Sequence, residues 1–207
     1  MAKNILGRMA ADTLGLSDIG KIISPQDFDK VDGDDYIMHE DGEKIYFVIK
    51  SKSDEYVFIN RGLLHVDGAN AVSRKRVVKR HEFYYERVDE VTLETAGTVD
   101  LDIEIKFNFG NERFSIDVDK KQLEQLKDLY KALVEISMIQ GRNYTSVEDG
   151  INGLKMANDA ISRNHLEGNP VNIVEDLAKF NFNWMENLRN TYNNKDFGEV
   201  FEKYINN

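Results

Sequence analysis

At 207 residues and 23.8 kDa, the chain has room for one large domain or two modest ones and can bury about 70% of its unfolded surface without covalent staples. It contains no cysteine, which removes thiol catalysis, thiolate metal sites and disulfides. Its 37 acidic and 27 basic residues leave a formal charge of −10, which argues against nucleic acid as a partner. No apolar run approaches the roughly 18 residues of a membrane span, so membrane association is not expected. The first twelve residues are interrupted by Lys3, Arg8 and Asp12 and do not read as a secretory signal, so the expected location is cytoplasmic.

Ile5, Leu6, Met9, Ala10, Thr13 and Leu14 recur at helical spacing and predict a short amphipathic helix over 3–14. Gly15 to Lys21 spells most of a phosphate-binding loop, but Ile22 stands where magnesium coordination needs a hydroxyl, and the segment reads as a linker. Ser24-Pro25-Gln26-Asp27 is a helix start, and Asp32-Gly33-Asp34 ends that helix early.

From Lys44 the apolar period becomes two. Ile45–Ile49 and Tyr56–Ile59 flank a polar tip and predict a hairpin. Further strands are predicted over 63–66, 72–83, 88–95, 99–109 and 114–118. In the sixth, Leu101, Ile103, Ile105, Phe107 and Phe109 alternate with polar residues, so one face is buried and the other wet. After Asp119 the period returns to 3.6, with Leu123, Leu126, Leu129, Leu133 and Ile136 on a helix expected to stop near Gly141.

The resulting fold class is α+β. Seven antiparallel strands form a barrel or sandwich capped by that helix, over residues 1–141, and an α-helical hairpin follows over 142–207. The strands and closing helix make a core that reads as complete, so residues 1–139 are expected to fold alone. In the hairpin, Ser146 looks like an N-cap for one helix, and Pro170 opens a second that runs to about Tyr192, with a short one from Asp196 to Tyr204.

No catalytic constellation is found. The acids from Asp27 to Asp35 put Phe28 and Lys30 where a calcium loop needs oxygen ligands, so they read as a solvated turn. His39, His65, His81 and His165 lack metal spacing, and Tyr85 stands where a zinc-protease motif beginning at His81 needs its second histidine. Neither a metal, a cofactor nor an enzymatic activity is therefore expected.

Two surfaces are candidates for recognition. Arg74, Lys75, Arg76, Lys79 and Arg80 crowd one strand; together with Lys50 and Lys52 of the first hairpin they could face an anion, and the plainer reading pairs the strand with acidic neighbours. On the second hairpin helix, at about 100° per residue, Val174, Leu177, Ala178, Met185, Leu188 and Tyr192 form one stripe, and Ile173, Phe180 and Trp184 widen it to roughly 200°. One partner helix covers about half of that arc. Ile173, Leu177, Phe180 and Trp184 are accordingly expected between subunits.

Five stretches (15–23, 34–58, 62–80, 94–110 and 114–136) together resemble the bacterial pleckstrin-homology-like domain family, and the tail resembles the YvbH-like oligomerisation region of some members. The resemblance implies seven strands in two near-orthogonal sheets, a closing helix from Lys120 to about Ile139, and closed cyclic homo-oligomers. It also implies a non-enzymatic role in protein–protein interaction with a partner the sequence does not identify. Eukaryotic relatives that bind phosphoinositides use basic residues of the first hairpin. The alternative function is therefore a peripheral module reading anionic lipid head groups, although Asp54 and Glu55 dilute Lys50 and Lys52 here.

Overall fold

Ile45–Ile49 and Val57–Ile59 are continuous apolar runs because the strands they lie in are buried there on both faces. The computed structural model describes residues 19–68, 76–95, 102–163 and 169–205, so the expected helix over 3–14, together with Arg74, Lys75 and His165, lies outside the described residues. The first sheet contains β1 (Lys21–Ile22), β2 (Ile45–Lys50), β3 (Asp54–Ile59), β4 (Gly62–Asp67) and β5 (Val77–Glu82), in that order. The second contains β6 (Val88–Glu94), β7 (Asp102–Phe109) and β8 (Glu112–Asp119). All neighbours pair antiparallel.

One face of the first sheet meets the second sheet, with Phe58 against Phe107 at 6.0 Å between ring centroids. The other face is covered by 3-10 turns over Pro25–Lys30, Asp32–Tyr36 and His39–Asp41. There Phe28, Val31 and Ile37 pack on Val48, Val57, Ile59 and Leu64. The acid-rich turn is thus a lid on the sheet as well as a solvated surface. Two buried carboxylates hold it: Gly33 N–H donates to Glu55 at 2.8 Å, and Met38 N–H donates to Glu43 at 2.9 Å.

The expected seven-stranded barrel is corrected to eight described strands in two sheets, and the added strand is β1. Two residues are too few to carry a period, so the segment reads as linker in sequence. In the fold Lys21 and Ile22 pair with Lys50 and Ile49, while Gly20 N–H donates to Asp117 O at 2.8 Å and Asp119 N–H donates to Gly20 O at 3.0 Å. The same segment therefore hydrogen-bonds both sheets. Gly20 is required there, because a Cβ would lie 2.6 Å from Ile49 Cγ2 and 2.9 Å from the Asp117 carbonyl.

The closing helix also departs from expectation. A 3-10 turn over Lys120–Gln122 leads into α1 (Leu123–Ser162), which runs without a break through Gly141 and through the expected cap at Ser146. The buried or half-buried positions Leu126, Leu129, Leu133, Ile136, Gln140, Asn143, Val147, Gly150 and Leu154, and Ile161 two steps on, recur at about three and a half residues. Gln140 and Asn143 make the stripe look interrupted, yet it stays in phase. A single glycine costs a helix only about 1 kcal/mol. The expected boundary at 141/142 falls inside this helix.

After α2 (Pro170–Tyr192) the chain ends in α3 (Gly198–Ile205). Residues from Lys195 onward belong with the β-sandwich and the start of α1, whereas Met138–Asn194 form a second unit. Phe201 is fully buried and stacks on Tyr46 at 5.2 Å; Phe197 meets Phe83 at 5.0 Å, and its N–H donates to Asn60 O at 2.8 Å. The sandwich core is therefore completed from the far end of the chain.

Candidate functional site

The second unit is a helical hairpin built from the latter part of α1 and from α2. Asn169 caps α2 by accepting from Val171 N–H at 3.0 Å, and Pro170 supplies the first turn. Gly150 lets the helices approach closely: a Cβ there would stand 2.6 Å from Leu188 Cδ2. Leu154 and Leu188 are the buried residues of the seam. Ile173, Leu177, Asn181, Met185 and Tyr192 are half-buried on the same side of α2.

Beyond that seam lies a set of exposed apolar side chains. Phe180 is 51% and Trp184 41% exposed, with ring centroids 5.9 Å apart, and the Trp184 indole N–H donates to Gly150 O at 3.1 Å. On the opposite flank of α2, Val171 is 63% and Phe182 62% exposed. Val174, Ala178 and, on α1, Met156 are exposed as well.

Of the four interface candidates, then, Phe180 and Trp184 stand on an open flank, whereas Ile173 and Leu177 lie in the hairpin's own seam. Val174 and Ala178, placed by angle against the partner helix, are exposed. Val171 and Phe182 were missed because a stripe centred on Leu188 puts them at its far edge; their shared angle with Ala178 was the signal that could have found them.

The basic strand has a different character. Arg76 pairs with Asp32 at 3.2 Å and Lys79 with Glu112 at 2.7 Å, while Arg80 holds buried Glu43 and also Glu82 at 2.9 Å. Hydrogen bonding to Glu112 raises the Lys79 ammonium above its ordinary value, and the same bond holds Glu112 below the usual carboxylate range. Lys50 pairs with Glu55, and Lys52 is exposed at the hairpin tip. Glu104, on the second sheet, takes Lys106 at 2.9 Å and not a residue of the basic strand. A head group binding the strand would have to displace carboxylates of this chain.

Among the described histidines, His65 and His81 both lie against Phe114, at 6.0 and 5.3 Å between ring centroids, and each has its own carboxylate partner. His39 meets Asp34 at 3.0 Å, His65 meets Asp54 at 2.9 Å and His81 meets Glu86 at 2.7 Å. Burial raises the Tyr56 phenol, which stacks on His65 at 4.6 Å. Among the described residues no three metal-ligating side chains come together, and no helix is long and apolar enough to cross a membrane.

Residues 13–137 match the family model of the bacterial PH domain. The chain belongs to the bacterial PH domain family. Residues 150–207 match the YvbH-like oligomerisation region, which takes in the last turns of α1 together with α2 and α3. The chain is 53% identical over 203 residues to the uncharacterised protein YvbH of Bacillus subtilis (strain 168), covering 97% of this chain and 98% of that relative. It is also similar to the crystal structure of a PH-domain-containing bacterial protein from Exiguobacterium sibiricum 255-15. That similarity has 47% identity and a TM-score of 0.83, and covers 91% of this chain and all of the other. In this bacterial PH domain protein, the oligomerisation region and the exposed flanks of α2 fall on the same residues.

Proposed function

We propose that this protein is a non-enzymatic, self-assembling PH-like module whose hairpin flanks join neighbouring copies, and whose sandwich offers a polar face to a protein partner. The observation carrying this reading is that α2 exposes aromatic residues on two opposite flanks, Phe180 and Trp184 on one and Phe182 beside Val171 on the other. Two different apolar patches on one protomer suit a head-to-tail contact, and such contacts close into rings when the rotation permits. Aromatic anchors are the residue types that dominate interface energetics. The outer face of the three-stranded sheet supplies the polar surface, with Asp102, Glu104, Lys106 and Asn108 alternating against buried Ile103, Ile105, Phe107 and Phe109.

The test is light scattering and thermal melting of Phe180→Ala/Trp184→Ala. Each truncation is expected to cost roughly 2 kcal/mol or more at an interface, so the assembly becomes smaller while the chain still melts cooperatively. An unchanged mass refutes assembly through this flank.

A further inference from the structure

The seam of the helical hairpin is apolar except at one level. On α1 it runs through Val147, Ile151, Leu154, Asn158 and Ile161, and on α2 through Ile173, Leu177, Asn181, Met185 and Leu188, all of them buried or half-buried. Steps of three and four residues keep such a set on the face that meets one neighbouring helix. In each helix the residue that breaks the apolar run is an asparagine.

The two asparagines stand at the same level. Gly150 faces Leu188 so closely that a Cβ there would lie 2.6 Å from Leu188 Cδ2, and the Trp184 indole N–H donates to Gly150 O at 3.1 Å. Asn158 lies about two turns beyond Gly150, and Asn181 about two turns before Leu188. In an antiparallel pair rising about 1.5 Å per residue, that brings them opposite each other. Asn158 Oδ1 and Asn181 Oδ1 are both buried, and neither has a hydrogen-bond partner among the described residues. An amide oxygen sealed from water without a donor destabilises the fold, and leucine at either place would continue the seam.

We propose that Asn158 and Asn181 form an amide layer that holds α2 at one level and one rotation against α1, giving up stability for a single arrangement of the hairpin. Each carboxamide carries an NH2 donor and a C=O acceptor, so either one, turned about its last bond, answers the other. They do so only while level: a slip or a turn of α2 sets each amide against an apolar side chain of the seam. Apolar contacts alone tolerate such a shift, because the hydrophobic effect has no direction. Phe180 and Phe182 flank Asn181 in the chain, so the layer also fixes where the two exposed flanks of α2 stand. The inference concerns the hairpin itself and does not depend on self-assembly.

The test compares Asn158→Leu, Asn181→Leu and the double variant in the full chain, by thermal melting and by fluorine NMR after labelling with 5-fluorotryptophan. Trp184 is the one tryptophan of the chain, and its indole bridges the two helices, so its resonance reports their relative placement. Each single change strands one amide against a leucine and should lower the melting temperature by at least about 2 °C. The double change removes both amides and should melt at least about 2 °C above wild type, which makes the two single effects strongly non-additive. Wild type should give one fluorine resonance and the double variant two or more. Additive single effects would overturn the proposal, because the amides would then not act as a pair. A double variant less stable than wild type would overturn it too, by making the pair an ordinary stabilising contact. One fluorine resonance in the double variant would do the same, since apolar packing would then set the level without the amides.

Discussion

Phe201→Ala tests whether the end of the chain is structural to the β-sandwich. Phe201 has no exposed surface, stacks on Tyr46 at 5.2 Å and lies 6.3 Å from Phe83. Removing a buried phenyl ring typically costs about 3 to 5 kcal/mol, which is a large share of the roughly 5 to 15 kcal/mol that stabilises a domain. At about 2 to 4 °C per kcal/mol for a chain of this size, the melting temperature should fall by roughly 6 to 20 °C. Calorimetry on the full chain reads the transition, with Val174→Ala as the control because that side chain is 66% exposed. A control shift near zero and a Phe201→Ala shift in the stated range support the assignment; a shift below about 2 °C refutes it. A fragment of residues 1–139 lacks Phe197 and Phe201 together and should lose its cooperative transition, contrary to the sequence-based expectation that it folds alone.

Three other outcomes are expected. Gly20→Ala drives a Cβ against the Asp117 carbonyl at 2.9 Å, so overpacking should cost about 1 to 3 kcal/mol, read as a lower urea midpoint with unchanged slope. Glu43→Ala removes the buried acceptor of Arg80 and of the Met38 N–H, and equilibrium denaturation should show a loss of about 1 to 3 kcal/mol; wild-type stability would mean the carboxylate does not anchor the turn. Glu112 is held below its ordinary pKa by Lys79, so its contribution is present above the unfolded-state pKa and is lost as pH falls through the folded one. Glu112→Gln should accordingly be less stable than wild type at neutral pH, with the two stability curves converging as pH falls below the ordinary carboxylate range; parallel curves would contradict the pairing.

Period and chemistry along the chain were enough to place seven strands, the start of the closing helix, the second hairpin helix with its proline, and the wet face of β7, because each is a local pattern over many residues. The same reasoning put Phe180 and Trp184 outside the hairpin seam, where they are exposed, since an arc of roughly 200° exceeds what one neighbour covers. It failed where the deciding contact is distant. Lys21 and Ile22 become a strand because the edge of β2 pairs with them, while Gly20 beside them hydrogen-bonds β8. The helix continues through Gly141 because the inward positions stay in phase across it, so helical packing outweighs one weak residue. For Arg76, Lys79 and Arg80 the plainer reading already paired the strand with acids, but which acids, Asp32, Glu112 and Glu43, only the fold decides. Phe197 and Phe201 join a core that begins some 150 residues earlier, at Tyr46. Sequence alone determines elements whose stability is repeated locally, residue after residue; tertiary structure decides those that depend on one surface meeting another, because a burial partner or a counter-charge leaves no mark on the residues beside it in the chain.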